Sequence, residues 1–423
     1  MKYFFTFLTC LFLAVQLQAQ NEFNYDESKV PLFTLPDPLV LSSGKKVKSV
    51  KVWEKKRRPE IFRLFEEQVY GKIPAGLKMT SFKVAEQSDH VFNGLARRKQ
   101  VEMVLQKDGR ELLVHLLIYL PKTVEKAPLF VGYNFYGNHT VAEDTEIILT
   151  QSWVANNPSF GIINNQITEQ SRGVRTNRWP VKMILESGYG VATMYYGDVD
   201  PDRNNFSDGV HPFAYLYGQT QPRANEWGAI SAWAWGLTQA MDYFETDPDI
   251  DASKVAVMGH SRLGKTSLWA GAVDQRFAVV ISNNSGCGGA ALSRRRFGET
   301  VQRINTAFPH WFCTNFKAYN DNENNLPVDQ HELIALIAPR PVYIASAEQD
   351  RWADPKGEYL SGHYASPVYQ LYGMEGLPSA EMPPVHQPIM NRIGYHIREG
   401  VHDVTDYDWQ QFIRFADKHL FGK

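Results

Sequence analysis

The chain has 423 residues, 21% of them charged and 43% apolar, and a formal net charge of −2. This is an ordinary soluble globular composition, long enough for one large α/β unit or for two or three average domains. The near balance of charge gives no reason to expect nucleic acid or an anionic membrane as a partner. The basic runs Lys45-Lys46, Lys55-Lys56-Arg57-Arg58 and Arg294-Arg295-Arg296 are short and isolated, and read as solvated surface. Aromatic residues make up 13%, which suits a protein that stacks sugar rings, although aromatic cores are the commoner cause.

At the amino end, Lys2 precedes an apolar run from Tyr3 to about Val15, and Ala19 closes a short segment before Gln20. This reads as a cleaved secretory signal peptide, residues 1–19, too short to span a bilayer stably. Leu17 is larger than ideal for a cleavage site, and Cys10 lacks the context of a lipid anchor. The expected location is therefore periplasmic or secreted, where thiols can persist as disulfides. After cleavage Cys287 and Cys313 remain, either bridged or both buried and free, with no spacing that resembles a metal site.

Residues 20–50 read as an N-terminal arm, polar and proline-marked (Pro31, Pro36, Pro38), lying over the main body. A helical pattern covers roughly Pro59 to Val69 and ends at Gly71. Alternation then takes over. Val101–Leu105 and Leu112–Leu120, joined across Lys107-Asp108-Gly109, read as an antiparallel hairpin. From there strands alternate with helices, the mark of a mostly parallel sheet. Strands are expected at Ala127–Tyr133, Gly188–Tyr196, Lys254–Met258, Ala278–Asn284 and Pro341–Ser346, with helices from about Ile230 to Phe244 and from Asp406 to about His419. No repeat or low-complexity linker interrupts residues 51–423, so one large catalytic domain is the simplest organisation.

The most informative stretch is Gly259-His260-Ser261-Arg262-Leu263-Gly264-Lys265. A buried strand precedes it and Thr266–Ala272 continues it as a helix, so Ser261 stands on a strand-turn-helix nucleophile elbow. The usual G-x-S-x-G spacing fails by one place, because Leu263 stands where glycine is expected and Gly264 follows. A serine alcohol is a weak nucleophile and needs a histidine oriented by a carboxylate. In α/β-hydrolases the chain order is serine, acid, histidine. Asp350, where the chain leaves the strand Pro341–Ser346, fits the acid better than its neighbours Glu348 and Asp354. His402, in the loop before the last helix, fits the base, whereas His396 falls within the strand-like Ile393–Ile397 and reads as structural. The N–H of Arg262 is placed to serve an oxyanion hole. Its guanidinium reads either as a fixed cation at the reacting carbon or as half of a structural salt bridge. Lys265, one turn past the serine, reads either as a contact to a substrate hydroxyl or carboxylate or as a solvated helix lysine.

The heptapeptide resembles the signature of the bacterial glucuronoyl esterases of carbohydrate esterase family fifteen. The likeness extends over most of the chain, through Gly137-Asn138-His139-Thr140-Val141, Arg178-Trp179-Pro180, Tyr196–Asp202, Ser285–Ala290, Arg295–Glu299 and Trp352–Pro355. The resemblance implies an α/β-hydrolase fold, a three-layer sandwich with a mostly parallel central sheet and an antiparallel N-terminal part. It implies hydrolysis of esters between (4-O-methyl-)glucuronoyl groups of glucuronoxylan and lignin alcohols, through an acyl-enzyme, by a monomer without metal or organic cofactor. By the same likeness Ser261 is the nucleophile and His402 the base, Arg262 stabilises the oxyanion through its side chain as well, and Lys265, Glu299 and Trp352 hold the uronic acid ring. Fungal relatives carry the triad acid as glutamate at the place of Asn284, and cysteine at the place of His260. Asparagine cannot carry the charge, so the likeness also leads to Asp350. An acetyl xylan or feruloyl esterase using the same triad, and a non-catalytic polysaccharide-binding protein, are the alternative readings.

Overall fold

A computed structural model describes residues 23–423; the signal-peptide segment, with Cys10 and Leu17, lies outside them. Ten strands form one sheet: β1 (Ser81–Val91), β2 (Ala96–Lys107), β3 (Arg110–Pro121), β4 (Ala127–Asn134), β5 (Gly190–Tyr195), β6 (Ile250–His260), β7 (Val279–Asn283), β8 (Val342–Ala347), β9 (Ile389–Met390) and β10 (Ile393–Arg398). Their spatial order is β1-β2-β3-β5-β4-β6-β7-β8-β10-β9. The expected hairpin is β2–β3, in continuous antiparallel register from Ala96↔Pro121 to Lys107↔Arg110. β1 adds a further antiparallel strand that the sequence reading did not single out. From β5 through β4, β6, β7 and β8 to β10 every pairing is parallel. The mostly parallel α/β-hydrolase sheet with an antiparallel N-terminal part is therefore what the chain forms.

The parallel strands are buried at nearly every position because both faces of the sheet are covered. Successive side chains alternate faces. Leu129 and Val131 of β4, Val255 and Val257 of β6, and Val342 and Ile344 of β8 join one core. Phe130, Ala256, Met258, Tyr343 and Ala345 join the other. The first core is closed by the helices Ala229–Phe244, Arg262–Val273 and Pro355–Leu371, and the second by Val181–Glu186 and Asp406–Ala416. The helix that begins at Arg262 is locked into the first layer by Trp269. Its indole is fully buried, stacks on Tyr70 at 4.6 Å and donates to Ser231 Oγ at 2.8 Å. Truncating such a tryptophan to alanine costs about 3–5 kcal/mol, so the elbow helix is anchored eight residues beyond Ser261.

Two basic runs are solvated only in part: Lys55 and Lys56 are exposed as expected, but Arg57, Arg294 and Arg295 are not. Arg57 is buried and pairs with Glu332 at 2.8 Å while donating to Pro38 O and Asp37 O. Arg294 and Arg295 are buried against Asp329 and Asp354, at 3.1 and 2.8 Å. A charge run is solvated by default, but these guanidiniums meet carboxylates that lie 35 to 275 residues away in the chain. Cys287 and Cys313 are both free and buried.

Candidate active site

β6 runs into the elbow, and Ser261 sits at φ 59°, ψ −129°, a left-handed backbone that a residue with a Cβ adopts only under strain. The turn is held from both sides. Ser261 N donates to Asn283 O at the end of β7 (2.9 Å), and Gly264 N donates back to Ser261 O (2.8 Å). The turn also explains the displaced glycine. A Cβ on Gly259 would lie 1.9 Å from the Leu263 carbonyl oxygen, and one on Gly264 would lie 3.0 Å from the Ser285 Cβ. Glycine is thus needed where the turn folds back on the strand and where the new helix crosses the chain after β7. Leu263 points instead into the core, 1% exposed. Arg262 is the first helical residue, so its N–H has no intrahelical acceptor and is available to an oxyanion.

β8 and β10 lie side by side, and the two segments that leave their carboxyl ends carry Asp350 and His402. Asp350 Oδ2 meets His402 Nδ1 at 2.5 Å and also accepts from Asn284 Nδ2 at 2.8 Å. Asn284 follows β7 in the left-handed region (φ 46°), which asparagine tolerates better than most residues, and its N–H is fixed to Ala345 O. Asn284, which the family resemblance sets at the place of the fungal acid, thus donates to Asp350. The His402 loop is tied down by Arg398, which donates to Glu399 O, Val401 O and Asp403 O while its Nε holds Asp408. Gln349 N donates to Gly400 O at 3.0 Å, linking the acid turn to the base loop. The rival candidates lie elsewhere. Glu348 is exposed; Asp354 is buried against Arg295 and caps the helix Pro355–Leu371; His396 is buried in β10 on Asp408.

Ser261, Arg262, Lys265, Asn284, Ser285, Gly286, Glu299, Phe308, Trp311, Asp350, Trp352, Ala353 and His402 together line a cleft of about 300 Å³. All seven sequence-identified site residues are among them. Lys265 is not a solvated lysine: it is 4% exposed, donates to Ser285 O at 2.5 Å and lies 3.8 Å from Glu299. Its ammonium carries three donors, of which Ser285 takes one. Burial pushes the Glu299 carboxyl above the usual range, and the neighbouring Lys265 pulls it back. For Arg262 the structure shows the salt bridge, made by a residue that also lines the cleft. Its Nη1 is paired with Asp202, and its guanidinium lies over the rings of Trp311 (4.9 Å), Phe135 and Phe308 (5.7 Å each).

Sequence reasoning missed the supports. Asp202 Oδ1 accepts from His310 Nε2 (2.8 Å) and Trp311 Nε1 (2.7 Å), so one carboxylate orients the cation and two walls of its slot. Its only signal in the sequence is its place at the end of the segment Tyr196–Asp202, which carries no stated partner. His260 is buried with its ring 4.4 Å from that of His402, and its Nδ1 meets Asn283 Oδ1 at 2.6 Å. Burial first, and then the neighbouring His402, hold its imidazole well below the ordinary range, so it is neutral. Glu358 is fully buried beneath the cleft, accepting from Ser285 N (2.7 Å), Gly286 N (3.0 Å) and Ser346 Oγ (2.6 Å).

The profile of a protein family described as glucuronyl esterase, fungi, matches residues 164–373. The structure of a promiscuous CE15 esterase from a marine bacterial metagenome is 55% identical, covers 94% of this chain and 100% of its own, and has a TM-score of 0.89. A glucuronoyl esterase from Solibacter usitatus is 46% identical, covers 93% of this chain and 99% of its own, and has a TM-score of 0.87. The fungal 4-O-methyl-glucuronoyl methylesterase 1 of Wolfiporia cocos (strain MD-104) is 37% identical over 44% of this chain and 47% of its own length.

Proposed function

The chain belongs to the glucuronoyl esterases of carbohydrate esterase family 15, and from that premise we propose that it hydrolyses glucuronoyl esters through an acyl-enzyme on Ser261. The observation that carries the reading is the hydrogen-bonded pair His402–Asp350 in the same cleft as a serine on a strained elbow. With Asp350 accepting at Nδ1, His402 presents an unprotonated Nε2 as the base. Nε2 takes the Ser261 proton as Oγ attacks the ester carbonyl, and the resulting imidazolium is balanced by Asp350. The developing oxyanion meets the Arg262 N–H and its guanidinium, which Asp202 and three aromatic rings keep aimed rather than mobile. His402 then returns the proton to the leaving alcohol, the C–O bond breaks, and water activated by the same Nε2 releases the uronic acid and frees Oγ.

Lys265, Glu299 and Trp352 are the groups for the sugar: a buried ammonium, a buried carboxylate and a half-buried indole suit hydroxyls on a ring with an apolar face. The substrates proposed are (4-O-methyl-)glucuronoyl groups of glucuronoxylan esterified to lignin alcohols, met outside the cytoplasm, a location supported by the apolar amino-terminal run. Comparing benzyl glucuronate with an aryl acetate tests this specificity. The glucuronate ester is expected to have the higher kcat/KM by at least about tenfold, the smallest gap that requires a contact to the sugar. Equal or better turnover of the acetate would replace the reading with an acetyl esterase.

A further inference from the structure

Glu299 and Trp352 are brought into the cleft by turns rather than by long elements: Glu299 follows Gly298, and Trp352 lies in the single turn Arg351–Ala353. Glu299 N donates to Trp352 O at 3.0 Å. A third segment, residues 23–29, engages both. Gly298 N donates to Asn24 O at 2.8 Å. The Phe23 ring stands edge-to-face on the Trp352 indole, with centroids 4.7 Å apart and planes at 82°. Tyr25 meets Phe297 in the same way at 6.1 Å, and the Arg351 guanidinium lies over both of those rings. Glu27 fastens the far end, pairing with Arg295, just before the Gly298 turn, at 2.6 Å and with Lys356, in the helix just after the Trp352 turn, at 3.0 Å.

Farther along, the arm seals the core through Val47, Leu39 and Leu41, but residues 23–29 do not. Here Phe23 is half-buried, Tyr25 is exposed and none of Glu27–Lys29 is buried, so the contacts are concentrated on the two cleft segments. We propose that the start of the arm, residues 23–29, is part of the sugar site and that Phe23 is a positioning residue, holding the Trp352 indole at the angle that receives the uronoyl ring. The inference rests on the reading of Trp352 as a sugar contact. It makes the arm a determinant of which ester is bound, without a part in bond cleavage.

The test is the steady-state kinetics of Phe23→Ala, Phe23→Tyr, Glu27→Gln and Trp352→Ala on benzyl glucuronate and on 4-nitrophenyl acetate. Loss of one aromatic pairing is expected to raise KM for the glucuronate ester about three- to tenfold in Phe23→Ala, with kcat and the acetate kinetics within about twofold of wild type. Phe23→Tyr keeps the edge-to-face contact and is expected to restore KM. Glu27→Gln, which loosens the arm without touching the indole, is expected to raise KM about twofold or more, and it decides the matter should Phe23→Ala fail to fold. An unchanged KM, or an equal loss on both substrates, overturns the proposal. Trp352→Ala separates the two claims. A raised KM there beside an unchanged Phe23→Ala overturns the arm alone, whereas an unchanged KM in Trp352→Ala removes the sugar contact on which it rests.

Discussion

Replacing Asp350 by asparagine probes the acid directly, and the geometry sets the size of the effect. His402 Nδ1 and Asn284 Nδ2 both donate to the same oxygen, Oδ2. An asparagine at 350 can place its carbonyl oxygen there, accept both donors and keep His402 in the productive tautomer. What is lost is then the charge that balances the imidazolium. Two unit charges about 4 Å apart at an effective dielectric near 20 attract by about 4 kcal/mol, or about 10³ in rate. The His402 side chain is 39% exposed, and solvent screening on that side reduces the loss to about 10²–10³ in kcat/KM. The double variant Asn284→Ala, Asp350→Asn lacks the donor that selects this amide orientation. Its NH2 group can face Nδ1 and impose the wrong tautomer, and a further loss of about tenfold is expected. The assay is kcat/KM on benzyl glucuronate, with melting curves to confirm that each variant folds. A single variant that keeps more than a tenth of wild-type kcat/KM would refute Asp350 as the acid.

The supports give further expectations. Asp202→Asn leaves Arg262 charged but removes its orienting acceptor; since losing a whole oxyanion donor costs about 10²–10³, a fall of about 10- to 100-fold in kcat with little change in KM is expected. Steady-state rates with the glucuronate ester check it, and a KM effect alone would assign Asp202 to binding. Lys265→Met removes a buried donor from the sugar end, and KM for the glucuronate ester is expected to rise about tenfold or more while the aryl acetate is little affected. Burial pushes the Glu358 carboxyl up to about 8, against donors from Ser346, Gly286 and Ser285 that favour its charged form. Because its folded pKa lies above its unfolded one, the folded state holds a proton that the unfolded state has lost, and stability through this group falls as pH rises from about 4.5 to about 8. Glu358→Gln removes that slope. The melting temperature of the variant minus that of wild type should therefore climb between pH 5 and pH 9, and a flat difference would show that Glu358 is charged throughout.

What was legible in the sequence was local or ordered along the chain. The parallel strands announced themselves as short apolar runs because both faces are buried, and the triad emerged from residue types at the ends of successive strands. What was not legible is spatial. The partners of Arg57, Arg294 and Arg295 are remote in sequence, so a charge run alone could not distinguish a buried ion pair from a wet surface. Asp202 is linked to Arg262 across 60 residues and to His310 and Trp311 across more than 100. β1, exposed along much of its length, carries apolar alternation only at Phe82 and Val84 before turning polar. The glycine at 264 is visible in the sequence only as a misfit, because the Ser285 side chain and the Gly259 and Asn283 carbonyls that crowd it come from segments that only the fold brings together.

Whether Ser261 carries the acyl group of a glucuronate ester is decided by kcat/KM of wild type and Ser261→Ala on benzyl glucuronate. A loss of about 10⁴-fold or more is expected, in a variant that melts like wild type. Retention of more than about a hundredth of wild-type activity would contradict it, because removing a nucleophile cannot leave the acyl-enzyme route that open.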